Sequence, residues 1–222
     1  MIITLLNLKG GVGKTTLSIH LASTLSLAGK KVMLIDADAQ QSAIHWAEVR
    51  EDPQLFTVAG IPSNTIHKQV QLLKPDYDFI IIDGPPRISN VSKSAIVCSD
   101  LVLIPINPSP YDVWASSEII DLLNDVKSTI PDIKKIKAAF VINRKIQKTV
   151  IGRDVQEALQ QYGIPILTTA VHQRVSYAES AARGSSVIEE DPESIAGKEI
   201  KELTEEVLKS GGYKNDERRE VA

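Results

Sequence analysis

The chain is poor in the residues that staple, stack or anchor a protein: its 222 residues include one cysteine and two tryptophans, and aromatics make up 5%. A single thiol cannot form an internal disulfide, which excludes a disulfide-framed secreted scaffold. Cys98 sits in the apolar run Ala95-Ile96-Val97-Cys98, the setting of a small buried hydrophobe. Long hydrophobic runs are missing too: each ends within about ten residues at a charge, Gly or Pro, short of the roughly 20 apolar residues that cross a bilayer. The start, Met1-Ile2-Ile3-Thr4-Leu5-Leu6, has no basic segment ahead of its apolar residues, so a secretory signal is not expected and the location reads as cytoplasmic. Neither sign of charge dominates, since 25 Lys and Arg against 28 Asp and Glu leave a net charge of −3. Any contact with DNA therefore has to come from a local basic cluster. What remains, 43% apolar and 24% charged residues, is a globular composition. The length suits one domain that buries roughly 70% of its unfolded surface.

Short β-rich runs alternate with segments of helical period, which predicts an α/β fold with parallel strands joined by crossover helices. Strands are expected at Ile2 to Leu8, Lys31 to Asp36, Phe79 to Asp83, Leu101 to Ile106 and Ile136 to Asn143, with weaker ones near Phe56 and Ile164. Ile80-Ile81-Ile82 and Leu101-Val102-Leu103-Ile104 are apolar on both faces, as happens when helices cover a doubly wound sheet on both sides. Helices are expected at Thr15 to Ala28, Thr65 to Leu73, Val113 to Lys127, Gly152 to Tyr162 and Ser194 to Lys209. Residues 1–209 read as one domain, and 210–222 as a disordered tail too polar to offset its ordering entropy.

The segment Lys9-Gly10-Gly11-Val12-Gly13-Lys14-Thr15-Thr16 follows the first strand and opens the first helix. Glycines there let successive N–H groups turn inward as an anion nest, and the helix N-terminus adds partial positive charge. Lys14 can reach the β- and γ-phosphates of ATP, and Thr15 can place its hydroxyl on Mg²⁺. A plain Gly-rich turn before a helix would not need Lys followed by Thr. The usual pattern wants Gly at position 8, where this chain has Leu8, and carries no lysine at position 9. Asp36-Ala37-Asp38-Ala39-Gln40 places two carboxylates at the end of the next strand, on the sheet edge where open α/β sheets bind ligands. In isolation they read equally well as solvated loop residues. Phe79-Ile80-Ile81-Ile82-Asp83 ends an apolar strand in a carboxylate suited to Mg²⁺ and to the Thr15 hydroxyl, although Asp83-Gly84-Pro85-Pro86 alone reads equally as a turn.

Lys9-Gly10-Gly11-x-Gly13-Lys14-Thr15 resembles the deviant Walker A loop of the partition ATPases and their Min-system relatives, in the short form without an N-terminal helix-turn-helix domain. The resemblance implies a P-loop ATPase that forms an ATP-sandwich homodimer. It implies that Lys9 reaches across to the other subunit's nucleotide, that Asp38 serves hydrolysis, and that Asp36 belongs to the magnesium surroundings together with Thr15 and Asp83. Ala39 departs from the proline common at that point of the family motif. Pro108 and Pro110, in Ile106-Asn107-Pro108-Ser109-Pro110-Tyr111-Asp112, resemble the family's proline-rich dimer segment, and Asn143 its adenine-side strand end. The nitrogenase iron-protein branch is excluded because its cluster needs two cysteines per chain. No basic amphipathic helix ends the chain, so membrane cycling is not expected.

Arg144, Lys145, Lys148 and Arg153, with Arg174 in a later loop, form the candidate DNA cluster, which reads equally as a solvated basic surface. The expected function is cargo positioning: an ATP dimer holds DNA nonspecifically on the nucleoid, an adaptor or centromere-binding protein stimulates hydrolysis, and the ADP form lets go. The cargo could be a plasmid, a chromosome or a carboxysome. The alternative is a metabolic P-loop ligase or amidotransferase that phosphorylates a small carboxylate.

Overall fold

The computed structural model describes residues 1–129, 136–146 and 151–214, the last without the side chains of 151–153. Six strands, β1 (Ile2–Leu5), β2 (Val32–Asp36), β3 (Thr57–Gly60), β4 (Phe79–Asp83), β5 (Leu101–Ile106) and β6 (Lys137–Ile142), form one parallel sheet in the order β3-β2-β4-β1-β5-β6. The helices are α1 (Lys14–Leu27), α2 (Ser42–Glu48), α3 (Ile66–Leu73), α4 (Asn90–Cys98), α5 (Pro110–Thr129), α6 (Ile151–Gln160), α7 (Ser176–Ala182), α8 (Val187–Glu190) and α9 (Ile195–Gly211). The chain winds outward from β1 in both directions, so the C-terminal ends of β1, β2, β4 and β5 converge where the strand order reverses.

The alternation of side chains along each strand separates the core into layers. Ile3, Leu5, Leu34, Ile81, Leu103 and Val141 face one way, where they pack with Leu17 and Leu21 of α1 and Ile200 and Leu203 of α9. Their neighbours face the other way into two separate clusters. Val102, Ile104 and Phe140 meet α5 and α6, while Met33, Ile80 and Ile82 meet α3 and α4. Trp46 of α2 closes one end of the continuous layer, stacked on Phe56 at 5.7 Å, with its indole N–H donating to the Ser185 carbonyl at 3.0 Å.

The expected strand near Ile164 is reduced to one bridge between Phe140 and Ile166, because Gly163 turns at φ 65° and Pro165 lacks the N–H a ladder needs. Helices α2, α4, α7 and α8 were not expected. Each spans at most nine residues, too few turns for an apolar period to show. The last helix runs past Lys209, where the tail was expected to begin. It ends at Gly211 with Gly212 at φ 78°, and the Tyr213 N–H returns to the Leu208 carbonyl at 2.9 Å. Tyr213 then packs on Phe79, with ring centroids 4.9 Å apart. Among the described residues no helix is long and apolar enough to cross a membrane.

Candidate phosphate and metal site

The loop between β1 and α1 is fixed at both ends by buried side chains. Asn7 is 1% exposed; its amide donates to the Pro105 carbonyl at 2.7 Å, and its Oδ1 accepts the Lys9 N–H at 2.9 Å. Val12, fully buried, pins the middle. Gly11 and Gly13 take φ values of 75° and 90°, which L side chains resist. A Cβ on Gly13 would also overlap the Asn143 amide nitrogen. Lys14 opens α1 at 7% exposure. Burial pushes its ammonium down, and the nearby Asp83 and Asp38 carboxylates partly restore it. The arrangement is a cation and a helix N-terminus beneath a glycine loop, which favours a phosphate anion.

Thr15 and Asp83 meet as the sequence implied: the Thr15 hydroxyl donates to Asp83 Oδ2 at 2.6 Å. Asp83 is 1% exposed, and burial pushes its carboxyl up to about 7 against the Thr15 hydrogen bond. Its other oxygen is buried with no hydrogen-bond partner among the described residues. A hydroxyl beside a carboxylate with an unfilled oxygen fits Mg²⁺, which takes one or two protein oxygens and completes its shell with water and phosphate. The described residues contain no cluster of three or more His, Cys, Asp or Glu able to hold a metal unaided.

Asp36, fully buried, accepts the Asp38 N–H at 3.0 Å on one oxygen and the Ala43 N–H at 2.8 Å on the other, and so shapes the loop and the start of α2. Burial still raises its carboxyl, with these backbone bonds working against the rise. Asp38 is partly exposed and accepts the Gln40 N–H at 3.1 Å. It borders a cavity of about 460 Å³ between its own loop and Pro85, Pro86 and Arg87.

Lys9 has a partner that the sequence did not disclose: its Nζ lies 2.5 Å from Asp112 Oδ2. Asp112 sits in the first turn of α5, which Pro110 opens, with Pro108 two residues earlier. Asn143 borders a second cavity, of about 350 Å³, between Thr16 and the loop of Val171 to Arg174. Its amide nitrogen donates to the Val12 carbonyl at 2.8 Å, which ties the end of β6 to the phosphate loop.

The basic cluster is brought together in part. Lys145 and His172 form a bridge that carries Arg144 and Lys145 to the Arg174 loop. Arg174 donates from Nη2 to Glu199 Oε1 at 2.5 Å, which counters its charge. Lys148 and the Arg153 side chain lie outside the described residues. Sequence reasoning also missed His20, 1% exposed behind the loop. Its Nδ1 lies 2.6 Å from the Thr16 carbonyl, and Nε2 accepts the Val187 N–H at 3.2 Å. The only signal was its place among the apolar residues of α1.

Residues 3–187 match the CobQ/CobB/MinD/ParA nucleotide binding domain. A maintenance of carboxysome distribution protein A from Halothiobacillus neapolitanus is 33% identical over 213 residues, covering 92% of this chain and 94% of that protein. The apo structure of McdA from Cyanothece superposes with a TM-score of 0.79 at 16% identity, covering 92% of this chain and 98% of the other. The septum site-determining protein MinD from Pyrococcus horikoshii, complexed with Mg-ADP, superposes with a TM-score of 0.75 at 20% identity, covering 95% and 97%.

Proposed function

Because the chain belongs to the CobQ/CobB/MinD/ParA nucleotide-binding family, we propose that it is a Mg²⁺-dependent ATPase that pairs with a second copy around ATP and positions a large cargo. The observation that carries this is one sheet edge bearing Lys14, the Thr15 and Asp83 pair, and a further lysine, Lys9, a few residues ahead of them. Lys14 would hold the β- and γ-phosphates. Thr15 and Asp83 would hold Mg²⁺, which supplies charge neutralisation across the phosphate oxygens when bound. Asp38, at the border of its cavity, would orient the attacking water. Lys9 would leave its own chain for the nucleotide of the second copy and place positive charge where the transition state gathers negative.

The similarity to a carboxysome distribution protein over nearly the full length of both chains supports a positioning role. A carboxysome, a plasmid and a chromosome are all cargoes of the fitting scale, each needing its own adaptor or centromere-binding protein to stimulate hydrolysis. Arg144 and Lys145, together with Lys148 and Arg153, would hold DNA by its phosphates without reading bases, so the ATP dimer would sit on the nucleoid. A small-molecule ligase or amidotransferase is less supported, since phosphorylating a carboxylate has no use for Lys9 in a second subunit.

The test is Asp38→Ala. It should bind ATP and Mg²⁺ and accumulate as a dimer on size exclusion, with turnover lowered at least about tenfold by the scale of lost transition-state contacts. A variant that hydrolyses at the wild-type rate removes Asp38 from the site, and one that binds ATP yet stays monomeric, as the wild type also does, removes the dimer.

A further inference from the structure

At the end of the sheet opposite the phosphate site, α1 and α9 flank a cavity of about 520 Å³, larger than the cavities beside Asp38 and Asn143. Phe79, fully buried, forms its floor with Tyr213 packed against it, and Leu25 and Leu208 extend the apolar lining. The hydroxyls of its walls are satisfied within the helices: Thr24 donates to the His20 carbonyl at 2.8 Å and Thr204 to the Ile200 carbonyl at 2.7 Å. Along α9, Ile200, Leu203 and Val207 enter the core, while Lys201, Thr204, Glu205 and Leu208 recur at helical spacing on the adjoining stripe and line the cavity. At the rim, Lys30, Lys201 and Lys209 stand against a single carboxylate, Glu205. Lys201 lies 3.1 Å from Glu193, but Lys30 and Lys209 have no ion-pair partner among the described residues. On a chain of net charge −3, this excess of lysine around an apolar groove sets the face apart.

We propose that the groove between α1 and α9 is the docking site for an amphipathic helix of a partner protein, one with an apolar stripe and acidic flanks. Two helices with an apolar floor between them are the receiving half of helix-in-groove recognition. From Lys201 to Lys209 the α9 wall runs about 12 Å at the helical rise per residue, which takes the i, i+3, i+4 and i+7 side chains of about two turns. Their burial on Phe79, Tyr213 and Leu208 supplies the apolar gain, and the rim ammoniums select carboxylates on either side of the stripe. The lysine stems can lie along the incoming helix while their heads stay in water. DNA phosphates would gain from the lysines but nothing from the apolar floor, which favours the helix. Phe79 opens β4 and Asp83 ends it, so the length of a strand separates the groove from the phosphate site. Partner and nucleotide can therefore be held at once.

The experiment titrates the full chain, without nucleotide, into a labelled synthetic helix of about 15 residues, long enough to hold its shape, and follows fluorescence anisotropy. The probe carries Leu at i, i+3, i+4 and i+7 and Glu beside them. It should bind saturably, and at least about ten times more tightly than either a scrambled sequence or a version with Lys in place of Glu. Lys30→Glu with Lys209→Glu should weaken binding at least about tenfold, and so should Ala28→Phe, which puts a ring across the groove from an exposed position. Neither variant alters a core residue, so both should keep the wild-type urea midpoint. No saturable binding of the acidic helix, or equal binding of the scrambled or lysine version, overturns the proposal. Variants that hold the probe as wild type does overturn the place. Unrelated duplex DNA that binds the wild type more tightly than the probe, and is lost in the lysine variant, gives the face to phosphates and the proposal fails. Self-association of the wild type by light scattering, abolished by Ala28→Phe, gives the groove to a second copy, with the same consequence. Because no nucleotide is present, a failure of the ATPase reading leaves these results unchanged.

Discussion

Replacing His20 with glutamine should abolish most of the stability loss that this group causes in mild acid. His20 lies wholly inside the layer between α1 and α8, edge to face with Tyr177 at 5.1 Å. The Thr16 carbonyl only accepts, so Nδ1 carries the proton and Nε2 is left to take the Val187 N–H. Protonating the ring would set two donors against each other at Nε2. Burial drives the imidazole from 6.5 down to about 4, with the Thr16 carbonyl and the Glu189 and Glu190 carboxylates opposing. The folded value is therefore the lower one, and the contribution is intact above pH 6.5. As pH falls, the unfolded chain takes a proton that the folded chain refuses, and stability drains away until about pH 4. That interval corresponds to about 3 kcal/mol in all, of which about 2.5 kcal/mol is gone by pH 4.5.

Other groups titrate in the same window. The raised Asp83 works in the opposite sense, while Glu206, which burial alone would raise, is held low by the Thr168 and Thr169 N–H groups and adds to the acid loss. The informative quantity is therefore the difference between wild type and His20→Gln in urea unfolding at pH 7.5 and pH 4.5. Glutamine can both donate to the Thr16 carbonyl and accept from Val187, and it does not titrate. The wild type should lose about 2 kcal/mol more than the variant between the two conditions. Equal losses, within about 0.5 kcal/mol, would show that His20 is not held neutral by this pair of contacts.

Gly13→Ala should destabilise the fold by about 1–3 kcal/mol and abolish ATP binding, because φ 90° and the Asn143 amide both exclude a Cβ. Gly10→Ala, with open space around it, should melt within about 0.5 kcal/mol of wild type, and equal denaturant midpoints for the two variants would contradict the loop geometry. Asp83→Asn should bind ATP in EDTA about as wild type does but gain nothing from added Mg²⁺ in calorimetry; an undiminished Mg²⁺ effect would move the cation elsewhere. Lys145→Glu with Lys148→Glu and Arg153→Glu should weaken ATP-favoured binding to two unrelated duplexes alike, lowering the salt slope by about 0.9 for each lost phosphate contact. Binding with an unchanged slope would place the DNA elsewhere.

The phosphate loop was legible because its chemistry is local: glycine at positive φ, lysine and threonine at a helix start, and a strand before them leave few other uses for those residues. Asp83 was legible for a related reason, since a carboxylate ending an apolar strand must find a donor, and Thr15 provides it. Asp36 shows where this reasoning stops. The resemblance set it in the magnesium surroundings, but α2 was too short to detect, so the Ala43 and Ile44 N–H groups that its carboxylate accepts were not foreseen. Asp112 was out of reach on other grounds: its link to Lys9 spans 103 positions in sequence and exists only once β5 lies beside β1. The bond from the Asn143 amide to the Val12 carbonyl was likewise hidden, because the return of β6 towards the phosphate loop is a property of the assembled sheet.

The two tryptophans stand in opposite surroundings, Trp46 5% exposed against Phe56 and Trp114 66% exposed beside Tyr111. A shielded indole emits towards the blue and resists quenching by iodide, whereas a hydrated one emits towards the red and is readily quenched. The chain therefore carries its own pair of optical probes. Covering the α5 turn would shift and protect only the red component, while movement of α2 would disturb only the blue one. Unlabelled protein in a stopped-flow fluorimeter can thus time the two events separately after ATP is added.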